Sequence, residues 1–368
     1  MISAAGRTDC LVVGAGPAGA TIARLLALKG RDVIVADPGF PSANRLELLS
    51  PASLAVVALV GLEQLLDDPA VARRCLGVRR RQSTGNWDYE DFLRHPSRTG
   101  YVVDRVRFER QLRSAAVAAG VKFVQWRATG VTADGGVVFR ESGGAGTTEL
   151  MFANMVVDAT GRRAAIARRR GVRLAVRDRM VAELMDMSVN AVAHNASWLD
   201  YWSNGSNWCY HICGPGGYAQ IWRVRASGKP ARDALLSVDA SSTVLSAAAG
   251  EGWIAVGDAA IAFDPIASQG LFNALSSALV ATGMLVSADQ ISLAMARHYS
   301  EAVTATFLSS EAGRINVYKN SSVPRRIGLT VSDRTQSWPD AAEPFPSMIA
   351  PVQDRQVPSS VEITTLDV

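Results

Sequence analysis

The sequence predicts an α/β protein: one lobe built on a mostly parallel sheet with an antiparallel meander, interleaved with a second lobe built on an antiparallel sheet. Three observations carry this. Cys10–Gly14 is a short, continuously apolar strand that runs into Gly14, Gly16 and Gly19 and then into an apolar helix. A second strand-glycine-acid segment, GWIAVGDAAIAFDPIASQGLFNAL, stands far downstream and leads into another apolar helix. Between the two the chain breaks into short alternating segments separated by glycine pairs, as antiparallel strands do.

The elements follow in order. A strand at Cys10–Gly14, a helix from about Pro17 to Lys29 stopped by Gly30, and a strand at Val33–Asp37 make one βαβ unit. Pro51–Leu66 reads as a helix with proline in its first turn. Residues 77–101 mix Arg, Trp, Tyr and Gly and read as irregular structure or edge strands. Phe108, Leu112, Ala115 and Ala119 recur at helical spacing before Gly120. Val121–Trp126, Thr129–Ala133, Gly136–Glu141 and Thr147–Phe152 read as a strand and a small meander, with turns at Gly135-Gly136 and Gly143-Gly144. Met155–Ala159 returns to a buried strand. Residues 180–226, rich in Trp, Tyr, Asn and Gly, alternate as a second sheet would. Ile254–Gly257 is a further buried strand and Gly270–Val286 a helix. Beyond Asn320 the chain is rich in Pro, Ser and charge, without periodicity, and reads as an extended tail. The expected organisation assigns 1–75, 102–175 and 240–300 to the first lobe and 76–101 and 176–239 to the second. Residues 301–368 are left as a C-terminal helix and tail.

Bulk properties narrow the function. The net charge is +4, carried almost wholly by arginine; the lysines are Lys29, Lys122, Lys229 and Lys319. The runs Arg79–Arg81 and Arg168–Arg170 have no nucleic-acid motif beside them and read as solvated faces, so no nucleic-acid partner is expected. Cys10, Cys75, Cys209 and Cys213 show neither a disulfide framework nor zinc spacing. Cys209, His211 and Cys213 share one face of a strand, but the outer two would stand about 13 Å apart, so no metal is expected. The apolar stretch Leu271–Val286 is short for a membrane span and carries Asn273, Ser276 and Ser277. No leader pattern opens the chain, so the expected location is the cytoplasm, without a membrane span.

The first glycine cluster has the context a nucleotide site needs. Gly14 permits the tight turn, Gly16 lets the backbone approach a pyrophosphate, and Gly19 lets helix and strand pack closely. The helix N-terminus offers free amides to the phosphates. Asp37, at the end of the second strand, is the expected acceptor for a ribose hydroxyl. The second cluster supplies Gly257-Asp258, Asp264-Pro265 and Gln269-Gly270 ahead of a helix whose N-terminus would stabilise negative charge on a reduced ring. A nucleotide gripped at both ends is a long one, which points to FAD rather than NAD and makes the first lobe a Rossmann-like FAD-binding domain.

The second cluster resembles the flavin-binding segment of FAD-dependent monooxygenases and of their relatives, the flavin halogenases and geranylgeranyl reductases. That resemblance implies that Asp258 binds the ribityl chain and that Pro265, Gln269 and Gly270 lie at the isoalloxazine. Val156-Val157-Asp158-Ala159-Thr160-Gly161 resembles the strand that places Asp158 and Gly161 near the adenosine half. Asn44-Arg45-Leu46-Glu47 and Val103-Asp104-Arg105 resemble segments of the halogenase-like branch that bring Arg45, Glu47 and Arg105 toward the cofactor. The resemblance covers about residues 8–290.

Flavin halogenases need a lysine to relay the halogen, and no lysine stands between Lys29 and Lys122. Their W-x-W-x-I-P motif has only the altered counterpart Trp208-Cys209-Tyr210-His211-Ile212-Cys213. What the resemblance then implies is oxygen transfer from a C4a-hydroperoxide formed from O2, with NAD(P)H or reduced flavin as electron donor. Trp198, Tyr201, Trp202, Trp208, Tyr210 and Trp222 cluster within a short stretch, and of these Trp208 and Tyr210 are the candidate walls for an aromatic substrate. His211 and Glu47 are the candidate bases, with a structural hydrogen bond as the competing role for His211. The combined pattern looks most like the halogenase-like flavoproteins of tryptophylquinone cofactor biogenesis, the class that serves quinohaemoprotein amine dehydrogenase. The partner would then be a small protein subunit carrying the target tryptophan. A reductase of the geranylgeranyl type, a flavin-dependent halogenase and a non-enzymatic flavoprotein chaperone are the competing readings.

Overall fold

The first strand, Ile2–Val13, lies between Thr148–Asp158 and Val33–Ala36 and runs parallel to both. Lys122–Val124 extends the sheet on one side and Trp253–Ala255 on the other, again parallel; Ala249–Gly250 closes the latter edge antiparallel. Leu11, Val12, Val35, Val157 and Ile254 are wholly inaccessible, because helices or further strands cover both faces. The computed structural model describes residues 2–39, 44–81, 85–142, 146–188, 197–204, 207–226, 228, 231–286 and 288–320. These belong to one compact unit; the tail reading beyond Asn320 and the turn at Gly143-Gly144 lie outside the described residues.

Six α-helices occur among the described residues: α1 Pro17–Leu28, α2 Pro51–Leu59, α3 Arg105–Ala118, α4 Ala165–Arg169, α5 Gly270–Leu285 and α6 Leu293–Asn320. α1 packs against α3 and α5. Two helices differ from the sequence reading for local reasons. The helix expected over Pro51–Leu66 ends at Leu59, because Gly61 adopts φ +64° and the chain restarts as a 3-10 turn at Glu63–Leu66. α3 begins three residues before Phe108: the Asp104 carboxylate caps it by accepting the Arg107 amide at 3.0 Å.

The meander is present as Trp126–Val131 and Val137–Glu141, the latter antiparallel to the first half of Thr148–Asp158. The sequence split that last segment into two strands. It is one strand of 11 residues, serving the meander on one side and the parallel sheet on the other. Ala153-Asn154 carries no turn signal strong enough to break it.

Among the described residues the second sheet has seven strands. Their order is Leu236–Asp239, Met180–Ser188, Ala219–Ala226, Asn207–Cys213, Trp198–Asn204, Gly77–Arg81 and Trp87–Asp91. Among the described residues only the pair Trp198–Asn204 and Gly77–Arg81 is parallel. Cross-strand partners line up Leu184, Trp222, Tyr210 and Tyr201 in one row and Ile221, His211, Asp200 and Arg79 in the next. Because side chains alternate along a strand, these two rows occupy opposite faces. A three-stranded sheet of Leu46–Leu49, Gly100–Asp104 and Ala72–Cys75 lies alongside.

Candidate functional site

At the end of the strand Ile2–Val13 the backbone turns at Gly14 with φ +105°, where a Cβ would stand 2.3 Å from the Ala159 carbonyl oxygen. At Gly19 a Cβ would stand 1.9 Å from the Gly14 carbonyl oxygen, so only glycine lets α1 pack this close to the strand. Gly16 differs: a Cβ there would meet nothing within 4 Å, because the space in front of it is cleft. The first bond of α1 runs from the Ala20 amide to the Gly16 carbonyl. The amides of Ala18 and Gly19 therefore have no acceptor within the helix. This is a cradle for phosphate.

The cleft encloses about 230 Å³. It runs from Gly16 and Ala18, past Ala159 and Gly161, to Asp258 and the start of α5 at Gly270 and Leu271. The Asn273 amide bonds to the Gln269 carbonyl at 2.8 Å, so the amides of Gly270 and Leu271 are likewise left over at the mouth of α5. Gly257 must be glycine, with φ +58° and the Ala18 methyl 2.8 Å from where its Cβ would be. Pro265 and Gln269 border the cleft, and the Gln269 amide oxygen is held by the Ser310 hydroxyl at 2.8 Å. Two helix N-termini thus open onto one cavity, which suits a cofactor with phosphates at one end and developing negative charge at the other.

Between them lies a charged cluster. Glu47 takes Arg105 Nη1 at 2.7 Å on one oxygen and stands 3.4 Å from Arg45 Nη2 on the other. Arg105 also donates through Nε to Glu109 at 2.5 Å. Partial burial works against ionisation of Glu47, but Arg105 and Arg45 outweigh it and hold the carboxyl below the usual range. Arg162 Nε stands 3.7 Å from Asp258 Oδ2, and its Nη2 donates to the Phe263 carbonyl at 3.1 Å. Gln220 ties this cluster to the second sheet: its oxygen accepts the Leu46 amide and Trp222 Nε1, both at 2.9 Å.

The far wall of the cleft is aromatic. Tyr210 and Trp222 stack with ring centroids 6.3 Å apart and planes 8° apart. Tyr201 lies 5.9 Å from Tyr210 and bonds to the Ser268 hydroxyl at 3.2 Å. Ser268 itself sits in the left-handed region with φ +48°, between the Asp264-Pro265 turn and α5.

Four expected site residues lie elsewhere. His211 occupies the face of the second sheet turned away from the cleft, 4.0 Å from Asp200 and 3.6 Å from Cys213; the period-two alternation that points Tyr210 into the cleft points His211 out of it. Trp208 shares the Tyr210 face but is buried beneath α6, where its Nε1 donates to the Tyr318 hydroxyl at 3.1 Å. Asp158 is fully buried and structural: its oxygens accept the Thr160 amide and hydroxyl and the Ile166 and Ala167 amides. Asp37 stands outside the cleft lining and accepts the Ala15 and Gly39 amides, each at 2.8 Å, clamping the glycine loop.

The sequence reading did not single out Arg162, Gln220 or Ser268, and named Tyr201 and Trp222 only as members of the aromatic cluster. Tyr201 and Trp222 carried a usable signal, since each aligns with Tyr210 once the strands are registered. No motif reports the others. Among the described residues no group of His, Cys, Asp and Glu could hold a metal ion, and no helix is long and apolar enough to cross a membrane.

Residues 7–232 match the FAD binding domain family model. A digeranylgeranylglycerophospholipid reductase of Methanothermobacter thermautotrophicus is 30% identical over 228 residues, which is 60% of this chain and 54% of that protein. The chain thus spans about half the length of this curated relative. Among solved structures, a flavin-dependent brominase superposes with TM-score 0.72 at 18% identity, covering 86% of this chain and 90% of that one. A peptidyl tryptophan dihydroxylase essential for tryptophylquinone cofactor biogenesis superposes with TM-score 0.62 at 22% identity, covering 84% and 77%. At these identities the structural likeness bears on the fold.

Proposed function

We propose, for a chain that belongs to the FAD-binding domain family, that it is an FAD-dependent monooxygenase which hydroxylates an aromatic ring. The substrate class is indole-like, and in the finer form of the reading it is a tryptophan side chain carried by a small partner polypeptide. One observation carries this: a single cleft joins both helix N-termini to the wall of Tyr201, Tyr210 and Trp222, and among the described residues no lysine lines it. The amine that halogen transfer requires has no counterpart there, whereas stacked rings suit an aromatic substrate.

When bound and reduced by NAD(P)H or by reduced flavin, FAD supplies the activation of O2. The chain's own residues do the rest. Gly16 and the Ala18 and Gly19 amides would receive the pyrophosphate. Asp258 and the α5 N-terminus would hold the ribityl and ring half, with Arg45, Arg105 and Arg162 balancing negative charge along the cleft. Tyr210 and Trp222 would orient the substrate ring and exclude water. The identity to an archaeal lipid reductase supports a second reading, reduction of an isoprenoid double bond in the same cleft. The cytoplasm is the compartment this reading assigns.

The test uses the full chain with FAD, NADH or NADPH, labelled O2, and two probes, free tryptophan and a short tryptophan-containing peptide. Mass gain from labelled oxygen supports hydroxylation. Anaerobic reduction of a geranylgeranyl lipid, with no oxygen gained by either probe, favours the second reading instead.

A further inference from the structure

Adding oxygen to an aromatic ring leaves a proton to be removed, and the expected bases do not serve. His211 faces away from the cleft. Glu47 is clamped between Arg45 and Arg105 and held below the usual carboxyl range, which makes it a poor proton acceptor. Asp264 remains. It borders the cleft between Phe263 and Pro265, where the α5 approach meets the aromatic wall, and it is 2% exposed.

Behind Asp264 stands an unusual arrangement of charge. Arg314, on α6, makes a two-pronged pair with Glu311, Nε to Oε1 and Nη2 to Oε2, both at 2.8 Å. Its charge is thereby matched once. Its remaining Nη1 stands 3.4 Å from Asp178 Oδ2 and 3.9 Å from Asp264 Oδ2. Three buried carboxylates therefore surround one guanidinium. Fully ionised, the cluster would hold two uncompensated negative charges away from water, a state that proton uptake relieves. Among the described residues Asp178 Oδ2 accepts no hydrogen bond, while its Oδ1 accepts the Ser242 amide at 2.9 Å. Burial raises the Asp178 carboxyl above its ordinary range and pushes Asp264 up to about 6.

Asp264 is also oriented. Its Oδ1 accepts the Ile266 amide at 2.9 Å and its Oδ2 accepts the Tyr318 hydroxyl at 2.7 Å; Trp208 Nε1 fixes that hydroxyl from behind. The charged and titratable groups facing it are Tyr318 and Arg314 from α6, Asp178 from the segment before the second sheet, and Tyr201 from that sheet; Glu311 lies behind Arg314, and Arg162 bonds to the neighbouring Phe263 carbonyl.

We propose that Asp264 is the proton acceptor of the cleft, with Tyr318 as its positioning residue and Asp178 and Arg314 as the charge reservoir behind it. The inference rests on the hydroxylation reading. The ring C–O bond forms as the O–O bond of flavin-activated O2 breaks, with reduced flavin as reductant. The ring C–H bond then breaks, its electron pair restores aromaticity, and its proton passes to the Asp264 carboxylate. The second oxygen leaves as water.

The test combines infrared titration of the FAD-loaded full chain with the pH profile of labelled-oxygen incorporation. Wild type should show a protonated-carboxyl band that titrates near pH 6 and is missing from Asp264→Asn. Incorporation by wild type should rise with pH through the same midpoint, while Asp264→Asn, still binding FAD, should lose about 10²–10⁴-fold and the pH limb with it. Tyr318→Phe removes one hydrogen bond to the carboxylate and should move the limb upward by roughly half to one unit. Equal incorporation by Asp264→Asn and wild type at every pH overturns the inference and leaves the hydroxylation reading standing. Wild type that transfers no oxygen to either probe overturns both. Should Asp264→Asn not fold, an unmoved limb in Tyr318→Phe overturns the inference.

Discussion

Gly16 caps α1 and Gly19 stands three residues on in its first turn, yet alanine at each should fail in a different way. At Gly19 the added methyl carbon would lie 1.9 Å from the Gly14 carbonyl oxygen, well inside any tolerated contact, and the neighbour is backbone that cannot rotate aside. Relief requires α1 to move off the strand by more than an ångström, disturbing a core in which Ala20, Ile22 and Ala23 are at most 1% exposed. Overpacking of this kind costs about 1–3 kcal/mol and often more when backbone must shift. At 2–4 °C per kcal/mol, Gly19→Ala should melt roughly 4–10 °C below wild type, with or without FAD. At Gly16 the added carbon meets nothing, and φ −69° with ψ −176° is a conformation alanine adopts freely. The apoprotein melting temperature of Gly16→Ala should stay within about 2 °C of wild type, since gains in the unfolded state and losses at the helix cap nearly cancel. Its methyl group projects into the phosphate cradle, so FAD affinity should fall at least tenfold, read by quenching of flavin fluorescence. Wild-type FAD affinity in Gly16→Ala, or a large drop in its apoprotein melting temperature, would refute the assignment of that open space to the pyrophosphate.

Three further outcomes follow from the same geometry. Glu47→Gln leaves Arg45 and Arg105 facing a neutral amide and should cost about 1–3 kcal/mol, measured by urea denaturation at pH 7.5; because the Glu47 carboxyl is held below its ordinary range, that contribution should vanish as pH falls through its folded value. Asp264 has the opposite sign: with its folded value raised to about 6 from 3.8, its contribution is present in acid and lost as pH rises, so between pH 5 and 7.5 wild type should lose about 1.4 kcal/mol relative to Asp264→Asn. Equal pH slopes for the two proteins would show that Asp264 titrates normally. His211→Gln should leave FAD affinity and turnover unchanged, since the ring faces away from the cleft; a tenfold loss of turnover would return it to the mechanism.

The parallel sheet and the glycine loop were legible because their constraints are local. A buried strand, a glycine that must turn and a glycine that must pack are all written within Cys10–Gly19. The aromatic wall was half legible. Alternation showed that Trp208 and Tyr210 share a face, but the cover that α6 lays over Trp208 comes from Tyr318, 110 residues away. His211 was misplaced for a similar reason: the sequence showed its chemistry but not which face of the strand met the cleft. Asp158 looked like a ligand because it ends a strand in a familiar string, yet its oxygens are used up by the short turn that follows. Arg314 and Asp178 left no trace at all, because nothing in their neighbourhoods announces a buried charge.

Helix α6 reaches from the parallel sheet to the second sheet, with the Tyr299 hydroxyl bonded to the Ala255 carbonyl and the Tyr318 hydroxyl bonded to Asp264 and accepting Trp208 Nε1. Both tyrosines hang from one rigid rod, about 28 Å apart along its axis at 1.5 Å per residue. The rod works as a gauge: it transmits phase as well as length. A single residue inserted between Ser300 and Ser310 would turn everything beyond it by roughly 100° while changing the rise by only about 1.5 Å. Tyr318 would swing off Asp264, whereas Tyr299 would stay seated under the nucleotide-binding sheet. Lengthening this helix by one residue should therefore disable the aromatic end of the cleft and spare the end that holds the phosphates.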